Sequence, residues 1–142
     1  PLPRQSYDVW QEDNNMNISS IFENGSIFSL QGAVKADASE FKPHAKFKGV
    51  ALKHLVRAEQ TEGLLSCHLV KVYSFCSLAG HCHPDNLEIH QVVSGEGEGL
   101  LAGAAVKYAP GTVTIIPKNV PHHVTAGQDP LYILAVFSPA LG

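Results

Sequence analysis

An all-β fold, either an antiparallel sandwich or a closed barrel, is what the chain predicts, and three observations predict it. From Gly49 onward the sequence is a succession of short apolar runs rich in β-branched and aromatic residues. Clusters of Gly, Pro, Asn or Asp bound those runs, as tight turns require. Nowhere does a helical apolar period persist between caps at both ends. Many short strands at close spacing are the pattern of sandwiches and barrels. At 142 residues a single domain is the simplest organisation, and it is long enough to bury a core.

Taken in order, "QEDNNMN" (11–17) reads as a polar turn. "ISSIFENGSIFSL" (18–30) reads as two short strands around Asn24-Gly25, because both turn residues tolerate positive φ. An isolated hairpin is marginal in water, so residues 1–48 are expected to form an arm and hairpin packed on the main body or on a neighbouring subunit. "KADASEFKPHAKFKG" (35–49) reads as a basic, irregular linker in which Pro43 blocks a helix. Residues 49–142 then hold the strands: "VALKHLV", "LLSCHLVKVY", "EIHQVVSG", "GTVTIIP", "HHVTA" and "LYILAVFS". "KHLVRAEQTEG" has room for a turn or two of helix before Gly63. "LYILAVF" is apolar on both faces and should be covered on both.

Composition narrows the function. A net charge of −3 and a pI near 6.2 give no electrostatic reason for a nucleic-acid or anionic-membrane partner. With 44% apolar and 16% charged residues, burial on many faces, including a subunit interface, is expected. No apolar run approaches the roughly 18 residues of a membrane span, and "PLPRQSYDVW" has no secretory pattern. Cys67, Cys76 and Cys82, odd in number and without CxxC spacing, suit free thiols in a reducing cytoplasm.

The stretch "HCHPDNLEIH" (81–90) carries three of the chain's eight histidines. On a strand, residues two apart share a face, so His81 and His83 point together, as do Glu88 and His90. Pro84, Asp85 and Asn86 allow the chain to reverse between the pairs. Imidazoles and a carboxylate brought to one point suit a divalent first-row metal.

This stretch and "GTVTIIPKNVPHH" (111–123) together resemble the two motifs of the cupin superfamily, in the manner of a small monocupin. Four residues separate His83 from Glu88 and six separate Glu88 from Gly95; in the second motif Gly111, Pro117 and His122 fall in place. Asn119 stands where the family has a glycine, Ala126 where it has a closing asparagine, and Phe75 where the first motif opens on glycine. The resemblance implies an antiparallel double-stranded β-helix, or jelly-roll barrel. It also implies His81, His83, Glu88 and His122 as ligands of one divalent ion, Fe, Mn, Ni, Zn or Cu. The adjacent His123 should face the other way.

His90 should point into the same cavity, either as general acid or base near neutral pH or as the partner that orients Glu88. His54 and His68 lie on upstream strands where either could face the interior, although a satisfied core or surface place is the ordinary expectation. Tyr73, Tyr108 and Tyr132 are phenols that spacing does not place. No Lys or Arg occurs between Val72 and Val106 or after Lys118, so an anionic substrate would rely on the metal or on Lys53, Arg57 or Lys71. The family resemblance therefore implies a metal-dependent enzyme of dioxygenase, isomerase or lyase type acting on a small chelating molecule. A small-molecule sensor and a metal-stabilised structural barrel are the other readings. A homodimer in the cytoplasm, without nucleic acid or membrane as partner, is expected.

Overall fold

Side-chain alternation decides which side of each strand is buried, and two sheets close their apolar sides on one another. The computed structural model describes residues 18–36 and 40–141; the turn expected over 11–17 lies outside them. Helix α1 (Ile18–Asn24) leads into a hairpin, β1 (Ser26–Ser29) and β2 (Gly32–Lys35). Then come β3 (Lys42–Pro43), β4 (Val50–Val56), β5 (Ser66–Val72), β6 (Ser77–His81) and β7 (Leu87–Ser94). The last five strands are β8 (Gly97–Leu101), β9 (Ala104–Tyr108), β10 (Val113–Ile116), β11 (His122–Ala126) and β12 (Leu131–Ser138). A six-stranded sheet in the order β10-β7-β12-β5-β4-β3 faces a four-stranded sheet in the order β6-β11-β8-β9, and every pairing is antiparallel. This is the expected all-β sandwich or jelly-roll barrel.

Two local expectations need correction. Asn24-Gly25 does not turn a hairpin, because "ISSIFEN" is helical and the hairpin turn falls at Leu30-Gln31, before Gly32 at φ 118°. Ile18, Ile21 and Phe22 recur at helical spacing, and α1 lies against β7. The helical period of this run prevails over the strand preference of its β-branched residues, although Ile18, Ile21 and Phe22 stay exposed. Gly25 ends the helix where a Cβ would stand 3.0 Å from the Ile21 carbonyl oxygen. Likewise the helix considered over 53–63 shrinks to a 3₁₀ turn at Ala58–Gln60, since β4 runs on through Val56 in register with β5. The segment read as a linker supplies β3, which pairs with β4 at the sheet's edge.

The core draws on both sheets: Val50, Val70, Val72, Val92, Leu131, Ile133, Ala135 and Phe137 from one, Leu78, Tyr108, Val124 and Ala126 from the other. Directly paired residues project to the same face, so the inner face of the six-stranded sheet can be followed in rows. One row is apolar: Leu52, Val70, Ile133 and Val92. The next is His54, His68, Ala135, His90 and Thr114. The one after is Ser66, Phe137, Glu88 and Ile116. The interior thus changes from apolar to polar along the strands, and the polar end carries the site. Among the described residues no helix is long and apolar enough to cross a membrane.

Candidate metal centre

Glu88 comes from the six-stranded sheet, while His81 and His122 come from the facing one. The latter two are paired across β6 and β11, with ring centroids 4.1 Å apart. His83 follows β6 in a loop pinned by Asn119, whose N–H donates to the His83 carbonyl at 2.8 Å. Asn119 holds φ 62°, a left-handed backbone that Asn adopts more readily than most residues, which accounts for its standing in for glycine. One donor atom from each of His81, His83, Glu88 and His122 lies within 4.8 Å of the others. His123 projects away and pairs with Thr125 Oγ1 at 3.0 Å.

Two backbone carbonyls set the ring tautomers. His81 Nδ1–H donates to Ala79 O at 2.7 Å, and His122 Nδ1–H donates to Val120 O at 3.0 Å. Each Nε2 lone pair is then left facing the cluster. Glu88 Oε2 stands 3.3 Å from His83 Nε2 and 3.4 Å from His122 Nε2. Glu88 is 4% exposed and His122 3%, yet Glu88 Oε2 and His122 Nε2 have no hydrogen-bond partner. Buried polar atoms left this way are costly, and a cation between them would satisfy both.

The charges agree with this. Burial pushes the Glu88 carboxyl up, but His122 and His90 outweigh it and hold it below the usual carboxylate range. Burial works to lower His122 as well, and there Glu88 and the Val120 carbonyl prevail and raise it. Burial, assisted by His122 and His83, holds His81 at about 4, and burial keeps His83 low. Both present neutral rings, the form a metal takes.

Behind Glu88, His90 donates from Nε2–H to Oε1 in a short hydrogen bond. Its Nδ1 lies 2.8 Å from the Tyr108 hydroxyl, and the phenol in turn is hydrogen-bonded to Thr114. Both His90 nitrogens are therefore occupied. Tyr108, which spacing could not place, is 2% exposed and packs over Gly99, where a Cβ would meet its ring at 2.7 Å. Tyr73 and Tyr132 instead sit beside Lys71 on the outer side. Phe47 and Phe137 wall the cluster, with centroids 5.2 Å from His81 and 5.1 Å from His83. Neither ring was marked in the sequence: the run that holds Phe137 is apolar on both faces, and Phe47 falls in the stretch read as a linker. His54 and His68 join each other rather than the cluster.

Residues 77–137 match the cupin domain family. No curated protein matches the sequence. Among solved structures, the chain is similar to KdgF from Halomonas sp., at 22% identity and TM-score 0.64, over 72% of this chain and 90% of that one. A predicted oxalate decarboxylase from Thermotoga maritima aligns at 22% identity and TM-score 0.68, covering 75% and 97% respectively. The polyketide cyclase RemF from Streptomyces resistomycificus aligns at 20% identity and TM-score 0.64, covering 75% and 77%.

Proposed function

The chain belongs to the cupin superfamily, and from that premise we propose that it is a divalent-metal-dependent enzyme acting on a small chelating molecule by dioxygenase, isomerase or lyase chemistry. The observation that carries this reading is the convergence of four donor atoms, one each from His81, His83, Glu88 and His122, within 4.8 Å of one another, with Glu88 and His122 buried. His81, His83, His122 and Glu88 would hold the ion. Four protein donors leave room for substrate on an ion that takes five or six ligands. Such an ion supplies Lewis acidity toward substrate oxygens or, as Fe(II), reactivity with dioxygen.

The chain's own residues do the rest. Tyr108 donates to His90 Nδ1, and His90 Nε2–H donates to Glu88 Oε1, which leaves Oε2 for the cluster. With both nitrogens occupied, His90 serves as a positioning residue rather than as the proton carrier. Phe47 and Phe137 exclude water from one side and so strengthen the electrostatic interactions within.

Elemental analysis of untagged protein, wild type beside His81→Ala, tests the metal. About one ion per wild-type chain and a large loss in the variant are expected; full metal retention by His81→Ala would remove the ligand assignment. Loaded protein screened against small hydroxy- and keto-acids tests the enzyme. Turnover that disappears in His81→Ala supports it, whereas binding without turnover favours the sensor reading.

A further inference from the structure

The mechanism leaves one buried titratable group on the inner face unused, the pair His54 and His68. Their Nδ1 atoms are 2.8 Å apart with the rings edge to face. His68 Nε2 lies 3.0 Å from Ser66 Oγ, and the Leu141 N–H donates to that same oxygen at 2.9 Å. The Ser66 hydroxyl already accepts from Leu141, and His68 Nε2 is its one acceptor among the described residues. It therefore donates to His68 Nε2. His68 then carries its proton on Nδ1 and donates it to His54 Nδ1, which fixes His54 as the Nε2–H tautomer. The direction of the whole chain is set by the buried Ser66 hydroxyl proton, which has no acceptor other than His68 Nε2 among the described residues. Ser66 and His68 are buried, His54 is only partly so, and His54 Nε2–H has no protein partner among the described residues.

We propose that His54 is a substrate-contacting residue whose fixed Nε2–H binds an anionic oxygen, such as a carboxylate, on a short ligand whose other end chelates the metal. This rests on the metal-centre reading. Position supports it: His54 and His68 continue the row that contains His90, on the inner face. The wall from the metal cluster to the pair is continuous. His83 meets Phe137 at 5.1 Å, Phe137 meets His68 at 5.6 Å, and His68 meets His54 at 4.8 Å between ring centroids. A ligand spanning that wall lays its carbon chain over Phe137.

Charge supports the anion. Burial first, then Arg57 and Lys42, keep His54 below its ordinary range, so the ring stays neutral while sitting in the positive field of two cations. A neutral N–H donor in such a field favours an anionic acceptor over a cationic or apolar one. Ser66 and His68 act through His54 as positioning residues.

The test uses full-length protein loaded with Zn(II) and titrated calorimetrically with two series of probes. One is the monohydroxamates of succinic, glutaric and adipic acid; the other is the alkyl hydroxamates of equal carbon number. At one of these lengths the carboxylate-bearing probe should bind about tenfold more tightly than its alkyl partner, the worth of one charge-assisted hydrogen bond. His54→Ala should erase that preference with alkyl hydroxamate affinity and zinc content unchanged, and His54→Gln, which keeps an N–H donor, should restore part of it. No preference at any length, or one that survives His54→Ala, overturns the proposal while leaving the metal centre standing. Alkyl hydroxamates that fail to bind would overturn the metal centre and this proposal together. In metal-free protein, ¹⁵N spectra should show His68 protonated at Nδ1 and bare at Nε2; the opposite tautomer overturns the relay.

Discussion

Tyr108→Phe deletes one oxygen that never touches the metal cluster, and it should nevertheless weaken metal binding. The phenol is 2% exposed and its oxygen lies 2.8 Å from His90 Nδ1. Burial pushes its ionisation up, against the Thr114 hydrogen bond, so Tyr108 remains a donor throughout the accessible pH range. Without it, His90 Nδ1 is a buried acceptor with no partner, at a cost of about 1–3 kcal/mol. His90 can recover by taking the other tautomer or by rotating, and either move withdraws the Nε2–H from Glu88 Oε1. The carboxylate is then free to turn, and removing a partner that orients a ligand typically costs about 10–100-fold in metal affinity. Competition against a chromophoric chelator at pH 7 reads the affinity, and thermal unfolding of the metal-free protein reads stability at about 3–4 °C per kcal/mol for a domain of this size. A lowered melting temperature with metal affinity within about twofold of wild type would refute the relay and reduce Tyr108 to core packing.

Two further outcomes follow from the structure. His68, 2% exposed, is held at about 4 by burial, then by His54 and Arg57, against the pull of Glu88. A histidine lowered in the folded state contributes stability that is present above its unfolded value near 6.5 and is lost as pH falls toward the folded one. Metal-free protein should therefore lose about 2–3 kcal/mol between pH 6.5 and 4 on this residue's account, and urea titrations of His68→Asn should show a correspondingly shallower pH slope. Phe75 holds φ 59° and is 74% exposed, so Phe75→Gly relieves left-handed strain while giving up little packing. A gain of about 0.5–1 kcal/mol in unfolding free energy is expected after the glycine's added chain entropy, and a loss would show that the ring is held by contacts.

Strands whose side chains alternate against a core were readable residue by residue. "VALKHLV", "HHVTA" and "LYILAVFS" coincide with β4, β11 and β12, because β-branched and aromatic residues there face a packed surface. β8 and β9 were passed over because "GEGLL" and "AAVKY" each give two of five places to Gly or Ala, which carry weak strand preference. The glycines of β8 are there for proximity: a Cβ on Gly97 would stand 2.3 Å from the Thr125 carbonyl oxygen. Such a requirement belongs to the partner strand and leaves no local mark. The convergence of His81, His83 and Glu88 was expected from a two-residue strand period and a turn, but β6 stops at His81, and a loop pinned by Asn119 brings in His83. The roles of Tyr108 and Phe47 were not legible, since strand pairing rather than sequence distance brings them to the site.

The rows of the inner face separate holding from acting. The Leu52, Val70, Ile133 and Val92 row is apolar throughout, and its buried members Val70, Ile133 and Val92 each supply roughly 1.5–3 kcal/mol. One step along the strands, His90 and His68 flank Ala135, and the next row carries Glu88 and Ser66 around Phe137. Each of those polar side chains is buried and bonded in a fixed direction, His90 toward Glu88 and Ser66 toward His68. An apolar side chain in any of these places would spare the desolvation cost. A core selected for stability alone has no use for two oriented polar chains on adjoining rows of one sheet face. Under the proposed function, one chain aims a carboxylate at the ion and the other holds out a donor to whatever that ion binds.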